Sequence, residues 1–286
     1  MKTVKMYRAA LGLATLLLAG SAEAQISRVF VSINGNDANV CSNVATPCRT
    51  FAGGVTQVDA QGEVIVIDSG SYAGGTITKS VKINVASGVV AFSGLALNIN
   101  PGGGGTVVIR GITLKALTPG SGQGINLQSG NLFVESSVID GWATGVAVGA
   151  ATKVYLTDTT VRNNTTGVDV SVGAQVSVDN ARFENNGVGL QASAGQAVLT
   201  RAVLSGNTTG TSAGGSAQVT MHKCQVANNG TGVSTSGGTA RVSDSTISGN
   251  TTGLNNVSGT LESFVNNQIG GNGANTAGSI TNVPLT

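Results

Sequence analysis

From about residue 105 onward, apolar and polar residues alternate in short runs, and the runs return at a nearly constant interval. Residues 153–174 show one interval in full. Val154 and Leu156 alternate with Tyr155 and Thr157, and Asp158 then marks a bend. Val161 points inward from a second short run, Asn163 to Thr166 make a turn that Gly167 ends, and Val168 and Val170 alternate with Asp169 and Ser171. Alternation with one apolar face is the mark of a half-buried strand. Three short strands and three bends therefore complete one lap. Helix competes poorly, because Thr, Val, Ser and Asn dominate and Gly or Asn interrupts every few residues.

A ladder sets the period. Trp142, Asn164, Asn186, Asn207, Asn229, Asn250 and Asn272 follow one another at intervals of 22, 22, 21, 22, 21 and 22 residues. Three positions before each stands an apolar residue (Ile139, Val161, Phe183, Leu204, Val226, Ile247, Ile269). Three positions after the first six stands glycine (Gly145, Gly167, Gly189, Gly210, Gly232, Gly253). A fixed period of this size means stacked repeats, each unable to bury its inward face alone. Asparagine at this turn tolerates the left-handed conformation, and stacked amides can hydrogen-bond from lap to lap. Trp142 breaks that run. Laps about 4.8 Å apart, eight or nine in number, predict a rod roughly 40 Å long. Upstream, residues 105–131 make a similar lap with a longer turn, and residues 63–100 make two less regular ones through Val64, Val66, Val81, Ile83, Leu95 and Leu97. Residues 50–60 carry the one helical stripe, Phe51, Val55 and Val58, placed to cover the open sheet edge at the amino end.

The opening of the chain adds a set of short motifs: Val31-Ser32, Gly35-Asn36-Asp37, Pro47-Cys48-Arg49-Thr50-Phe51, Gly62-Glu63-Val64-Ile65-Val66 and Gly70-Ser71-Tyr72. With the ladder, these make the chain resemble the pectin-lyase-like superfamily, and within it the exported bacterial β-helix repeat proteins. The resemblance covers essentially all of residues 25–286. It implies an all-β fold, a single-stranded right-handed parallel β-helix of about eight or nine coils over residues 63–286. An N-terminal strand, loop and capping helix over residues 25–62 precede it. It implies no single activity, since the superfamily holds lyases, hydrolases, epimerases, adhesins and structural proteins.

Composition narrows the partners. Lys2, Lys5 and Arg8, an apolar stretch over residues 9–20 and Ala22-Glu23-Ala24 read as a cleavable signal peptide of residues 1–24, with export to the periplasm or the medium. No later stretch is apolar for long enough to cross a membrane. Of 15 basic and 13 acidic residues, three and one fall in that segment, so residues 25–286 carry 12 of each. A neutral chain recommends neither nucleic acid nor an acidic membrane as partner; extracellular or cell-wall polysaccharide is the partner to consider. Aromatic residues make up only 3% and glycine numbers 43, as thin stacked layers require. Cys41 and Cys48 lie in one polar loop, and an oxidising compartment favours joining them. Cys224 occupies a position shared by Ser137, Thr159, Ala181, Ala202 and Ser245, all small, which reads as a buried structural thiol.

Little of the surface carries chemistry. In polysaccharide-cleaving relatives the cleft lies outside one sheet, which by resemblance is the strand after each repeated glycine. Its outward rows are Ala147, Asp169, Gln191, Ser212, Ser234, Asn255 and Gly149, Ser171, Ser193, Gly214, Ser236, Val257. One carboxylate among twelve supplies neither a calcium site nor a paired acid and base. The preceding strand offers Phe133, Tyr155, Ser177, Val198, Thr220, Arg241 and Glu135, Thr157, Asp179, Thr200, His222, Ser243. Phe133 and Tyr155 are the candidate ligand-binding residues, an aromatic platform for a sugar ring. Glu135 and Asp179 are the candidate catalytic pair, two laps and roughly 9–10 Å apart. Mixed polar and aromatic residues on an exposed strand explain the same rows without any site. His222 has no second ligand at zinc spacing, Asp37 alone is thin for calcium, and Gly102 to Gly105 lack the Lys-Ser/Thr of a phosphate loop. No metal and no cofactor is expected. The Asn-Thr-Thr-Gly repeats at Asn164, Asn207 and Asn250 match glycosylation acceptors, but their ladder place accounts for them more simply. The function expected is carbohydrate contact or a rigid surface scaffold without robust catalysis, with a polysaccharide lyase or glycoside hydrolase as the alternative.

Overall fold

The computed structural model describes residues 25–285; the expected signal peptide, residues 1–24, lies outside the described residues. The chain winds as a single-stranded right-handed parallel β-helix of about ten turns with one short helix. Each regular lap lays one strand on each of three faces. In one lap these are Lys153–Thr157 on face one, Thr160–Arg162 on face two and Thr166–Val170 on face three. All the strand pairing is parallel, each strand on its counterpart one lap away. Ten strands stack on face two, one per turn. The two laps over residues 63–100, the one over 105–131 and the seven of the ladder already make these ten, so the expected total of eight or nine is an undercount; the strands shrink to two residues at the ends, as at Gly70–Ser71 and Gln268–Ile269. Near the carboxyl end, Thr231–Ser243 and Thr252–Phe264 run from face three into face one without a break.

The ladder residues hold the turn between faces two and three. Asn186 Oδ1 accepts from the backbone N–H and the side-chain Nδ2 of Asn164, both at 3.0 Å. Asn186 Nδ2 donates to Val161 O at 3.0 Å and to Asn207 Oδ1 at 3.1 Å. Both amide hydrogens and both lone pairs are thus used, and the pattern repeats through Asn207, Asn229 and Asn250. Trp142 donates its backbone N–H to Asn164 Oδ1 and forms the first rung. Asn164, Asn207 and Asn250 are buried with their amides engaged, so they serve the ladder rather than glycan attachment. The left-handed conformation falls one residue earlier than expected, on Gly141, Asn163, Asn185, Gly206, Asn228 and Gly249. Glycine and asparagine are the residues that bear it at least cost. A second left-handed column, Ser136, Asp158, Asn180, Arg201, Lys223 and Asp244, turns face one into face two.

The repeated glycines answer a different constraint. A Cβ on Gly145 would stand 2.6 Å from Gly167 O, and one on Gly232 would stand 2.6 Å from Gly253 O. The next lap's backbone passes too close for any side chain.

Inward residues form one apolar column from Val29 to Leu261. Phe183 is fully buried within it, and the small-residue position holds Ser137, Thr159, Ala181, Ala202, Cys224 and Ser245 at 0–3% exposure. Leu95 does not join the column. It is 53% exposed, because Ser93 turns inward and exchanges hydrogen bonds with the Leu95 backbone at 3.0 and 3.1 Å. At the head, Phe51–Gln57 forms a helix that packs on Arg28–Val31, Glu63–Val66 and Gly75–Ile77. Thr50 caps it by accepting from Gly53 N at 2.9 Å. The Asp37 carboxylate accepts from Arg49 N, Thr50 N and Thr50 Oγ1 at 2.7, 2.9 and 2.8 Å. Asp37 therefore fixes the capping Thr50 in place. Cys41 and Cys48 form a disulfide with their Cα atoms 5.2 Å apart, closing the loop that leads into the helix.

Denaturant melts should rank three substitutions. Phe183→Ala is expected to cost about 3–5 kcal/mol by opening a cavity, and Asn186→Ala about 1–3 kcal/mol by stranding buried partners. Gly232→Ala should cost about 1–3 kcal/mol by forcing two laps apart. Parent-like stability of the Phe183 variant would contradict its place in the column.

Candidate functional site on face one

Strand pairing puts the face-one side chains in straight rows along the solenoid. Phe133 pairs with Tyr155, Tyr155 with Ser177, Ser177 with Val198, Val198 with Thr220 and Thr220 with Arg241. The parallel row is Glu135, Thr157, Asp179, Thr200, His222 and Ser243. Both rows are as the sequence predicts. A third lies beside them: Asn131, Lys153, Gln175, Gln196 and Gln218.

Phe133 and Tyr155 are brought together, but not as a flat platform. Their ring centroids are 4.4 Å apart and the planes 8° from parallel. Two rings side by side in one plane cannot approach so closely, so they lie face on face with normals roughly along the solenoid axis. Each ring uses one face on the other. The outer face of Phe133 turns toward Val108, its partner in the preceding lap. The outer face of Tyr155 turns toward Ser177, which is exposed and too small to cover it.

Glu135 and Asp179 share their row two laps apart, and each is already engaged. Arg110 donates through Nε to Glu135 Oε2 at 2.7 Å, and Arg201 donates to Asp179 Oδ2. Sequence reasoning passed over both arginines, although Arg110 lies in the Glu135 row one lap earlier and Arg201 follows Asp179 by 22 residues. Asp179 Oδ1 has no hydrogen-bond partner. His222 Nδ1 lies 3.1 Å from Ser243 Oγ. Among the described residues, no three His, Cys, Asp or Glu side chains gather as metal ligands.

Face three is in register as predicted through Ala147, Asp169, Gln191, Ser212, Ser234 and Asn255. Its outer row differs at the end: Ser236 pairs with Ser258, not Val257, because a bulge shifts the register. Burial raises the Asp169 carboxyl above the usual range, and no base stands opposite it in the pairing, where Ala147 and Gln191 flank it.

The motifs at the head of the chain converge on a polar knot. Asp68 accepts from Ser32 Oγ at 2.6 Å, from Ile33 N at 3.0 Å and from the Tyr72 hydroxyl. Arg49 lies over the Tyr72 ring, 5.9 Å from its centroid, and donates to Ser71 O at 3.2 Å. Burial opposes ionisation of Asp68, but the hydrogen bonds and the Arg49 charge outweigh it and hold the carboxyl below its ordinary value. Burial and the neighbouring carboxylate push Tyr72 upward. Apart from Arg49 Nη1, which is buried without a partner, the polar groups of the knot bond one another and lock the first turn.

The right-handed β-helix region family matches residues 98–277, well over half of the chain. The chain belongs to that family. Three solved structures share the fold. Pectate lyase Pel9A is 16% identical at a TM-score of 0.52, over 91% of this chain and 78% of that one. XylC, solved in complex with xylose, is 8% identical at 0.60, over 84% and 70%. The A-module of the Azotobacter vinelandii mannuronan C-5 epimerase AlgE4 is 15% identical at 0.50, over 91% and 89%. No curated protein matches the chain in sequence. These likenesses show the fold, and the site must be argued from face one.

Two outcomes check the chemistry of the knot and the thiol. A carboxyl held below its ordinary value stabilises the fold above that value and ceases to do so as pH falls through the folded one. Stability should therefore drop as pH falls below about 4, and Tyr72→Phe should cost about 1 kcal/mol near neutrality and flatten that drop; urea melts across pH read both. Cys224 is buried and its thiol is pushed up to about 11 by burial. Thiol labelling should detect one group, and only after unfolding.

Proposed function

We propose that this is an exported, carbohydrate-contacting β-helix protein whose contact surface is face one, working without catalytic machinery. The observation that carries the reading is the Phe133–Tyr155 stack, 4.4 Å between centroids, which leaves one tyrosine face open beside Ser177. Aromatic faces bind the apolar faces of sugar rings, and of the two aromatic pairs among the described residues this one lies on the outside, while Phe51 and Tyr72 are buried. An exposed glutamine and half-exposed threonine and carboxylate side chains flank the open face and suit hydroxyl groups. The disulfide fits an oxidising compartment. Among similar folds, one was solved with xylose bound and others are a pectate lyase and a mannuronan epimerase. A polysaccharide partner accords with them.

Cleavage by Glu135 and Asp179 is the competing reading, since they stand two laps apart on the same face. It asks one group to donate a proton and the other to activate water. Both carboxylates are held by arginines from adjoining laps, and such pairs at the surface serve lap alignment more readily than proton transfer.

A glycan-array screen of residues 25–286, followed by product analysis of any polysaccharide that binds, tests both readings. Binding without shortening of the polymer is expected. Tyr155→Ala should weaken it by about 1–1.5 kcal/mol, and Asp169→Ala should leave it unchanged. Loss on changing Asp169 with none on changing Tyr155 would move the contact to face three, and released oligosaccharides that vanish in Glu135→Gln would establish catalysis.

A further inference from the structure

We propose that the ligand enters as a single uncharged sugar ring, edge-on, into a slot above Ser177, so that a glycan crosses the solenoid along the strands rather than following its axis. The inference rests on the face-one reading and makes it specific. The stacked geometry of Phe133 and Tyr155 turns the open tyrosine face toward the next laps. Tyr155, Ser177 and Val198 are consecutive in one outward row. The central one is the smallest, while Val198 rises from the following lap at 46% exposure. Tyr155 and Val198 are therefore two walls separated by two strand spacings, roughly 9–10 Å, with a serine floor. Carbon–carbon contact at about 3.5–4.0 Å on each side fills that gap with one saturated ring and no more. A ring lying flat across the laps would meet only the edges of the aromatic pair, which offer far less contact.

The ends of the slot are the outward neighbours of Ser177 on its own strand. Gln175 at one end is exposed and presents an amide donor and acceptor. Asp179 at the other end turns Oδ1 inward, where it is buried, and holds Arg201 through Oδ2. A ring hydroxyl can donate to Oδ2, the oxygen on the exposed side of the half-exposed carboxylate. With Arg201 held by Asp179, that end of the slot offers a ring carboxylate no unpaired cation, which is why the ligand is assigned as uncharged. Lys153, on the Tyr155 strand, is the cation that makes the charged alternative worth measuring.

The test is titration calorimetry with xylo-, cello-, manno- and galacto-oligosaccharides from di- to hexasaccharide, and with oligogalacturonides of the same lengths. Ser177→Tyr is the decisive variant, because it extends the aromatic stack while filling the slot. Its melting midpoint should equal or exceed that of the parent while binding of the neutral sugar falls by at least about tenfold. Ser177→Ala should keep affinity within about twofold. Unchanged or tighter binding by Ser177→Tyr, with Tyr155→Ala still weakened, would overturn the slot and leave the face-one contact standing, with the glycan along the ring edges. Tighter binding of oligogalacturonides than of any neutral sugar would overturn the assignment of an uncharged ring. Failure of the parent to bind any of these sugars, or indifference to Tyr155→Ala, would overturn the face-one reading and the slot with it. Should the tyrosine variant melt early, Ser177→Val fills the same space with a residue suited to strands, and retention of binding by it would equally overturn the slot.

Discussion

In-register parallel pairing of each lap on the one before is the constraint on which everything else in this molecule depends. Every side chain sits above and below its own counterparts, so each column must tolerate its own kind at about 4.8 Å. Asparagine satisfies that demand because its amide both donates and accepts, and Asn164 through Asn272 bond one another without an intervening group. Glycine satisfies it where backbones pass too closely for a Cβ, as at Gly145 and Gly232. Charges satisfy it by opposition. Arg28 with Glu63, Arg110 with Glu135, Asp140 with Arg162, Asp179 with Arg201 and Arg241 with Glu262 each join adjoining laps, where like charges would repel. These pairs are half-exposed and add little net stability. Their value lies in matching one lap to the next.

The same constraint shapes the candidate site. Stacking forces Phe133 and Tyr155 onto each other, and so decides which aromatic surface remains for a ligand. It also explains why two carboxylates at a suggestive separation need not be catalytic: a row of outward residues two laps apart is spaced by the backbone whatever its chemistry. The residues that look most motif-like, Arg49, Ser71, Tyr72 and Asp68, are drawn into the head of the column, where helix and disulfide loop close the first turn. The proposed recognition surface lies elsewhere, in the middle of face one.

Much of this is legible in the chain itself. Lap period, inward columns, outward rows and the capping helix follow from spacing, because the repeat converts sequence distance into spatial neighbourhood. Other features are less direct. The left-handed residue was assigned to the ladder asparagine, whereas Gly141, Asn163, Asn185 and Gly206 bear it; the signal was present, since only Gly and Asn occur there. Alternation points Leu95 inward, but the chain turns there and Ser93 takes the inward place. The total of eight or nine laps falls short of ten although every lap is visible in the spacing, and the terminal face-two strands are too short to alternate. The orientation of the aromatic pair could not be read, for side-chain torsions are set by packing against Val108 and Ser177 rather than by spacing.

The central claim is that recognition occurs on face one at the open side of Tyr155. A crystal structure of residues 25–286 with a bound neutral oligosaccharide tests it most directly. The account predicts sugar density above Ser177, with a ring parallel to that of Tyr155 and a hydroxyl near Asp179 Oδ2. Density along face three beside Asn126, Asp169 and Gln191, with face one bare, would contradict it.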